Sequence, residues 1–586
     1  MSNQILKGTL TVSILTMLSR ILGFFRDLLT AYLFGATYLA DAFFVAFKIP
    51  NLLRSFVAEG ALTNAFVPVF VDELSKSQAQ AKETMRSVVS FLLLLTLTLS
   101  ILGIIFSQEI ILVIAPGFSE NPAKEQLCIL LTQIMLPYII CVSLVVMLNG
   151  ALNSIGIFGC SAWAQIWMNI CLILGALLAC FFNSETAIFI LAFSVIVGGV
   201  VQVAIQVPIL RKVGFSILPS KQIFTKVTKQ IMFLMLPAIL GAAVYQLQIL
   251  INTLLASVLQ SGSVSWLFYA DRVVQLPIGV FTVALSSVLL PTLAKAEAEK
   301  QKQDFSSNLM NSLRYVSFII IPISGVLYIF AEPLTWLLFE RGQFDHLSSL
   351  ETARAVQNYS LGIWSVSLFS ILIRVFFAKK DTLTPTLIGV VTLVFTVLFS
   401  LIFMGDPVSG VGLWMFDLVK SCREFLVPDF GEIISPNCLD CASFVRLSDG
   451  STKAITPFNQ TMTLFTPLFN LKHAGLALAS STAMLCSLLI AVFLVAKRNN
   501  LNWSPFILAT LKSVVSMLLA ISVLCLSENY LLDINENFLN LKVNLFKICF
   551  EIPLFLSLLF FFLCVFKTRE LRETFKLLSN LSRHVK

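Results

Sequence analysis

The sequence predicts an all-α polytopic membrane protein of about fourteen transmembrane helices. Three observations carry that prediction. The 586 residues are 57% hydrophobic and 12% charged, with a mean hydropathy of +0.90. Apolar runs of about 20 residues recur along the chain, each long enough to cross a hydrocarbon core of roughly 30 Å. Between Leu10 and Val71, seven charged residues interrupt what otherwise reads as membrane: Arg20, Arg26, Asp27, Asp41, Lys48, Arg54 and Glu59. The first apolar stretch carries Arg20 and Arg26 and lacks a short uncharged core ahead of a small-residue cleavage site. It is therefore expected to stay as a membrane anchor.

Window hydropathy places spans at 8–35, 39–71, 87–114, 128–154, 159–182, 187–210 and 230–258. It continues with 264–293, 308–338, 351–378, 382–404, 471–496, 505–526 and 543–566. Several are longer than the bilayer needs, so tilting or breaking is expected. Pro50, Pro137, Pro237, Pro277 and Pro322 fall within spans, where each removes a donor and bends the helix.

Lys and Arg in the connections set the orientation. One side collects Lys76, Lys82 and Arg86, then Arg211, Lys212, Lys221, Lys226 and Lys229. The same side takes Lys295, Lys300, Lys302, Lys379, Lys380, Lys497, Arg498 and the tail from Lys567 to Lys586. Short loops opposite hold little beyond Lys124, Arg341 and Lys542. The positive-inside rule then puts both termini in the cytoplasm. The net charge of +8 is mostly this topology signal and gives little support to nucleic-acid binding.

An ionised side chain in hydrocarbon costs about 2.5–3.5 kcal/mol on insertion scales, so such residues face a partner or a watery cavity. At about 100° per residue, Asp41, Lys48 and Glu59 fall on nearly one line of an unbroken helix, and Arg20 shares a face with Asp27. Acids and bases on one line point to internal ion pairing. Stapling of helices alone does not call for so many charges, so the cluster is read as a transport path for something charged. A second basic site, Trp266-Leu-Phe-Tyr-Ala-Asp271-Arg272, lies a few residues into the eighth span. Its bland alternative is an interfacial charge that snorkels to the headgroups. Ala270-Asp-Arg272 faintly echoes Ala46-Phe-Lys48: each follows an aromatic stretch and precedes a proline, as two related halves of a transporter would.

Several motifs run in order along the chain. They are Ser19-Arg-Ile-Leu-Gly-Phe-Phe-Arg-Asp27, Phe34-Gly-Ala36, Asp41-Ala-Phe-Phe-Val-Ala-Phe-Lys-Ile-Pro-Asn-Leu-Leu-Arg54, Ala58-Glu-Gly-Ala61 and Ala65-Phe-Val-Pro68. Ala115-Pro-Gly117, Ser261-Gly-Ser-Val-Ser-Trp266, Tyr269-Ala-Asp-Arg272 and Lys472-His-Ala-Gly-Leu476 follow. Together these resemble the MurJ (MviN) family of lipid II flippases, within the multidrug/oligosaccharidyl-lipid/polysaccharide exporter superfamily.

The resemblance implies two pseudo-symmetric six-helix lobes around a central cationic cavity, plus two extra C-terminal helices that form a groove for the lipid tail. The lobes would be 1–228 and 229–500, the groove 501–566 and the basic cytoplasmic tail 567–586. It also implies cavity arginines at Arg20, Arg26, Arg54 and Arg272 that bind substrate, and a cavity acid at Asp41. Lys48, Glu59 and Asp271 occupy motif positions with gating or ion-pair roles. Lipid II carries a pyrophosphate, and Arg offers it a planar fork that stays charged when desolvated. Arg26, Arg54 and Arg272 are expected to hold the pyrophosphate with Arg20 in support, and Asp41 and Glu59 to orient these cations or exchange as gate pairs.

No Walker-type loop or catalytic constellation is present, so a transporter is expected, not an enzyme, and no cofactor is implied. An inside-negative potential favours outward movement of negative charge by about 2.3 kcal/mol per charge per 100 mV. Some relatives hold sodium with carboxylates in helices 7, 11 and 12. The corresponding spans here contain no Asp or Glu, so that site is not expected. Lipid II and membrane lipids are the expected partners, with cell-wall synthesis proteins as candidates. The rivals are a flippase for another polyprenyl-linked oligosaccharide, a MATE-like drug or cation antiporter, and a scaffolding protein. An antiporter predicts an acidic or aromatic cavity, whereas bases, Arg374 included, outnumber acids here. A scaffold would leave the buried charges without purpose.

The main departure from the family is a periplasmic insert at about 405–467, read as a tolerated surface loop. It holds Cys422, Cys438 and Cys441, two of which could form a disulfide outside the cytoplasm. A zinc site would need a fourth ligand, and only His473 is near. The other nine cysteines are read as small apolar packing residues.

Overall fold

A computed structural model describes residues 3–55, 62–157, 159–405, 471–499, 501–532, 544–566 and 568–573, with three short strands between 432 and 454. The architecture is all-α apart from those strands, Glu432–Ile434, Phe444–Arg446 and Thr452–Ala454, which pair as an antiparallel meander within the insert. Glu59 and the three insert cysteines lie outside the described residues.

Contacts divide the chain into two compact units. The first comprises Met1–Ser265 with the Arg341–Asp345 loop, and the second includes Trp266–Glu340 and the helices from His346 onward. In the first unit the helices are α1 (Asn3–Phe34), α2 (Tyr38–Arg54), α3 (Thr63–Lys76), α4 (Gln78–Ile105) and α5 (Ser107–Ile114). A 3-10 turn then leads to α6 (Pro122–Met135), α7 (Tyr138–Ser154), α8 (Cys160–Ala179), α9 (Ser184–Lys212) and α10 (Lys226–Ser257). Starts are marked by local chemistry. Ser77 accepts from Gln80 N, Asn121 from Ala123 N and Lys124 N, Asn183 from Thr186 N and Thr225 from Thr228 N, each satisfying an orphan donor of the first turn. Pro122 sits at the first helical position, where its missing N–H costs nothing. Phe66, Phe70, Met85, Leu92 and Leu148 form a core among α3, α4 and α7.

The prolines behave differently from one another. Leu136-Pro137 separates α6 from α7 with a bend of 41°. The expected break at Pro50-Asn51 does not occur: α2 runs on to Arg54, and Asn51 Nδ2 donates to Phe47 O at 2.8 Å. Pro277 closes α11 (Ser263–Pro277), and a π turn at Ile278–Thr282 leads into α12 (Val283–Ala298).

The second unit continues with α13 (Lys302–Ile329), α14 (Ala331–Phe339), α15 (His346–Ala378), α16 (Leu383–Phe403), α17 (His473–Arg498), α18 (Ser504–Leu532) and α19 (Ile552–Val565). Phe330, Ala520, Leu524, Phe555 and Leu559 pack α18 and α19 together. Beyond α19 the chain does not begin as a free basic tail. Glu570 is buried against the Arg314 guanidinium on α13, and Tyr315 donates to Glu573. Helices occupy each of the fourteen predicted windows, whole or as broken pairs. Among the described residues ten helices are long and apolar enough to cross a membrane, or eleven if α6 and α7 form one span. The protein is therefore a multi-pass membrane protein. Of the nine described cysteines, Cys128 and Cys160 are buried, whereas Cys180, Cys525, Cys549 and Cys564 are exposed.

At the α15–α16 turn, Asp381 accepts from Thr384 N at 3.0 Å, Thr384 Oγ1 at 2.7 Å and Arg498 Nη1 at 2.5 Å. These donors, the Thr384 amide first, hold its carboxyl at about 2, below the usual carboxylate range. The folded value is depressed, so the stability it lends is complete above the ordinary Asp value of about 4 and is lost as pH falls through the lower value. Asp381→Asn is expected to flatten that acid limb in a profile of melting temperature against pH. A limb unchanged in Asp381→Asn would show that the turn contributes nothing.

Candidate functional site

In the first unit, Arg26 on α1 bends back along its own helix. Its Nε and Nη2 donate to Asp27 Oδ1 at 2.9 and 2.7 Å, and Nη1 donates to Asn169 Oδ1 on α8 at 3.2 Å. Asn169 in turn donates to Ser19 O at 2.9 Å, which fixes the amide and so the aim of the guanidinium. Asp27 is buried and Arg26 nearly so. Asp27 thus pairs with its neighbour in sequence, whereas Arg20 is exposed and makes no ion pair among the described residues.

Asp41, in the first turn of α2, is 1% exposed. Lys124 Nζ lies 2.7 Å from Oδ2, Gly262 N donates to the same oxygen at 2.7 Å, and Ser265 donates to Oδ1 from N at 2.9 Å and Oγ at 2.6 Å. The carboxylate therefore caps the amide-rich start of α11, where an anion complements the helix dipole. Lys124 is buried as well, 4.1 Å from the Phe118 ring centroid and 3.5 Å from Ser261 Oγ. The pairing expected along α2 is realised across helices, because residues seven positions apart on one helix stand too far apart to touch. Lys48 instead donates to Thr253 Oγ1 on α10 at 3.0 Å. Arg54 closes α2, half-buried.

In the second unit, Arg272 lies over the Phe268 ring at 4.6 Å, a cation–π contact. Gln275 Nε2 donates to Asp271 Oδ2 at 2.5 Å, one turn along α11. Arg374 on α15 keeps its Nε buried and without a hydrogen-bond partner among the described residues. His473 is buried against the Trp266 ring at 4.8 Å, its Nε2 2.8 Å from Glu351 O, while Arg354 pairs with Glu351 at 2.8 Å. A Cβ on Gly475 would lie 2.2 Å from Phe403 O, so this part of the Lys472-His-Ala-Gly475 motif lets α17 meet the end of α16. Among the described residues no three His, Cys, Asp or Glu side chains converge to hold a metal.

Sequence reading did not single out Lys124, Asn169, Thr253 or Ser265. Lys124 had a signal: it is one of very few cations in the short loops on its side. Ser265 lies in a quoted motif. Asn169 and Thr253 had none, being ordinary polar residues inside apolar helices.

A multi-pass helical fold that keeps charged side chains buried among its helices defines a polytopic membrane protein with a polar interior. The comparisons narrow this. The family model "Lipid II flippase MurJ" matches residues 30–422. A probable lipid II flippase MurJ of Buchnera aphidicola from Schizaphis graminum is 38% identical over 400 residues, covering 68% of this chain and 77% of that protein. The lipid II flippase MurJ of Burkholderia cenocepacia is 35% identical over 430 residues, covering 72% and 83%. A solved lipid II flippase MurJ in an inward closed conformation superposes with a TM-score of 0.71 at 23% identity, covering 95% of this chain and 98% of that one. An inward-facing MATE transporter of the MOP superfamily gives 0.59 at 12% identity, covering 84% and 98%, which shows shared fold alone. The chain belongs to the lipid II flippase MurJ family.

Proposed function

We propose that this chain moves lipid II from the cytoplasmic to the periplasmic leaflet of the bacterial inner membrane by alternating access. Family membership over some 400 residues is the observation that carries the reading. On it, fourteen spans form two six-helix lobes with both termini in the cytoplasm, and 501–566 accommodates the lipid tail. Cell-wall synthesis proteins are candidate partners.

Arg26, Arg54 and Arg272, supported by Arg20, are proposed to bind the pyrophosphate. Three of the five guanidinium N–H groups of Arg26 are already committed to Asp27 and Asn169. The pyrophosphate would compete with Asp27 for this cation, which makes the pair a two-state element and not a fixed staple. Asp41 with its donors, and Lys48, Glu59 and Asp271, are proposed to change partners between access states. Arg272, with its cation–π contact to Phe268, offers the planar fork that suits bidentate phosphate contact.

Cells depleted of their own lipid II flippase and expressing this chain provide the test, with a toxin that cleaves lipid II only from the periplasmic side. Wild type is expected to restore cleaved head group, and Arg26→Ala or Arg272→Ala at equal membrane levels to lose it by tenfold or more, as expected when a charged hydrogen bond of about 1.5–3 kcal/mol is removed. No restoration by correctly inserted wild type, with restored export of another polyprenyl-linked glycan, would transfer the assignment to that substrate.

A further inference from the structure

α11 carries an accessible stripe that phosphate binding by Arg272 does not account for. From Val264 to Gln275 every residue is buried except Phe268, Asp271, Arg272 and Gln275. These four stand at i, i+3, i+4 and i+7, one face of a helix that with α12 is long and apolar enough to cross the membrane. Trp266, Tyr269, Ala270 and Val273 take the opposite side into the packing. Three of the four accessible residues are polar, so this face meets water and not hydrocarbon.

The guanidinium suits an anion, but its neighbours point to something neutral. A carboxylate next to Arg272 repels phosphate, so Asp271 has another use. Gln275 Nε2 donates to Asp271 Oδ2 at 2.5 Å, which fixes the carboxamide. The Gln275 Oε1 and second N–H make no other bond among the described residues. Tyr359 of α15, half-buried, lies within electrostatic reach of the same carboxylate. Its hydroxyl makes no hydrogen bond among the described residues. An amide donor, an amide acceptor and a phenol thus gather around one acid, none of them charged. The hydroxyl and acetamido groups of a sugar are neutral donors and acceptors, the complement of that set. We propose that Gln275, aimed by Asp271, and Tyr359 form a saccharide subsite beside Arg272, one that separates a glycan-bearing polyprenyl pyrophosphate from the bare carrier. The subsite rests on the lipid II reading and adds two contacts to it. A site made to hydrogen-bond a substrate's OH or NH disfavours the analogue lacking it, because the site's own polar groups are then left unpaired.

Native mass spectrometry of the purified full-length protein in detergent, with lipid II and undecaprenyl pyrophosphate in competition, tests the subsite. Wild type is expected to retain lipid II in preference. Gln275→Leu and Tyr359→Phe should each weaken lipid II retention about fivefold, the share of one net hydrogen bond, and leave undecaprenyl pyrophosphate unchanged. Arg272→Ala should weaken both. Asp271→Ala should lower the preference as Gln275→Leu does, and the double variant no further, because the acid acts through the amide. If Tyr359→Phe melts well below wild type, Gln275→Leu, at an exposed position, decides. A preference in Gln275→Leu equal to wild type, an equal loss of both carriers, or no preference in wild type would overturn the subsite. Additive losses in the double variant would overturn the positioning role of Asp271. Wild type that retains neither carrier would instead defeat the lipid II reading, so the two failures are distinguishable.

Discussion

Asp41→Ala is expected to destabilise the protein by about 3–5 kcal/mol, the cost of breaking a buried ion pair by removing one partner. The carboxylate accepts four bonds, from Lys124 Nζ, Gly262 N, Ser265 N and Ser265 Oγ. Its removal strands the buried Lys124 ammonium beside the Phe118 ring and the Ser261 hydroxyl, neither of which carries a charge. It also uncaps the start of α11. Asp41→Asn keeps the acceptor oxygen but turns an amide donor towards donors, so it should lose most of the same energy. Lys124→Met leaves the three α11 donors in place and should cost less. The double variant Asp41→Ala/Lys124→Met should be more stable than the sum of the singles, since no lone charge remains buried. Thermal unfolding in detergent measures all four. Additive losses, or an Asp41→Ala protein that melts like wild type, would rule out a coupled buried pair. If alternating access requires this network to open, Asp41 variants should also lose translocation at temperatures where they remain folded.

Gly35→Ala should be nearly as damaging, for a reason of backbone and not of charge. Gly35 ends α1 at φ +58, its N–H bonded to Ala31 O at 2.8 Å in the left-handed cap. A Cβ there would lie 2.2 Å from Gln343 O, a backbone atom that has nowhere to go. The Arg341–Asp345 loop is bound at the same place, with Gln343 N donating to Tyr32 O at 2.9 Å. Left-handed conformation alone costs a non-glycine residue roughly 1–2 kcal/mol, and the clash adds displacement of the loop. Gly156→Ala separates the two contributions: its φ is +83 but nothing lies within 4 Å of the added Cβ. Gly156→Ala should therefore shift the melting temperature slightly and Gly35→Ala several times more. Equal shifts would mean that the loop moves aside freely.

Much of this was legible in the residues. Phe34-Gly35-Ala36 was visible as a motif, though its contact with a loop 300 residues away was not. Pro137 announced a break that exists, whereas the helix runs on through Pro50 to Arg54. The acids and bases of the first two helices stood out against hydropathy, since hydrocarbon admits charge only in company. Their company was another matter. Asp41 and Lys48 share a face, yet the pairs that form join Asp41 to Lys124, 83 positions on, and Lys48 to Thr253, 205 positions on.

The sequence by itself determined the membrane class, the approximate windows of the helices, the motifs that mark the family and the residues that carry charge into the bilayer. Those follow from solvation and local periodicity, which act over one or two turns of chain. Only the tertiary structure decided which charge meets which and that α11 is capped by a carboxylate from α2. Such pairings depend on which helix faces pack together, a property set by long-range contacts that no window of neighbouring residues contains.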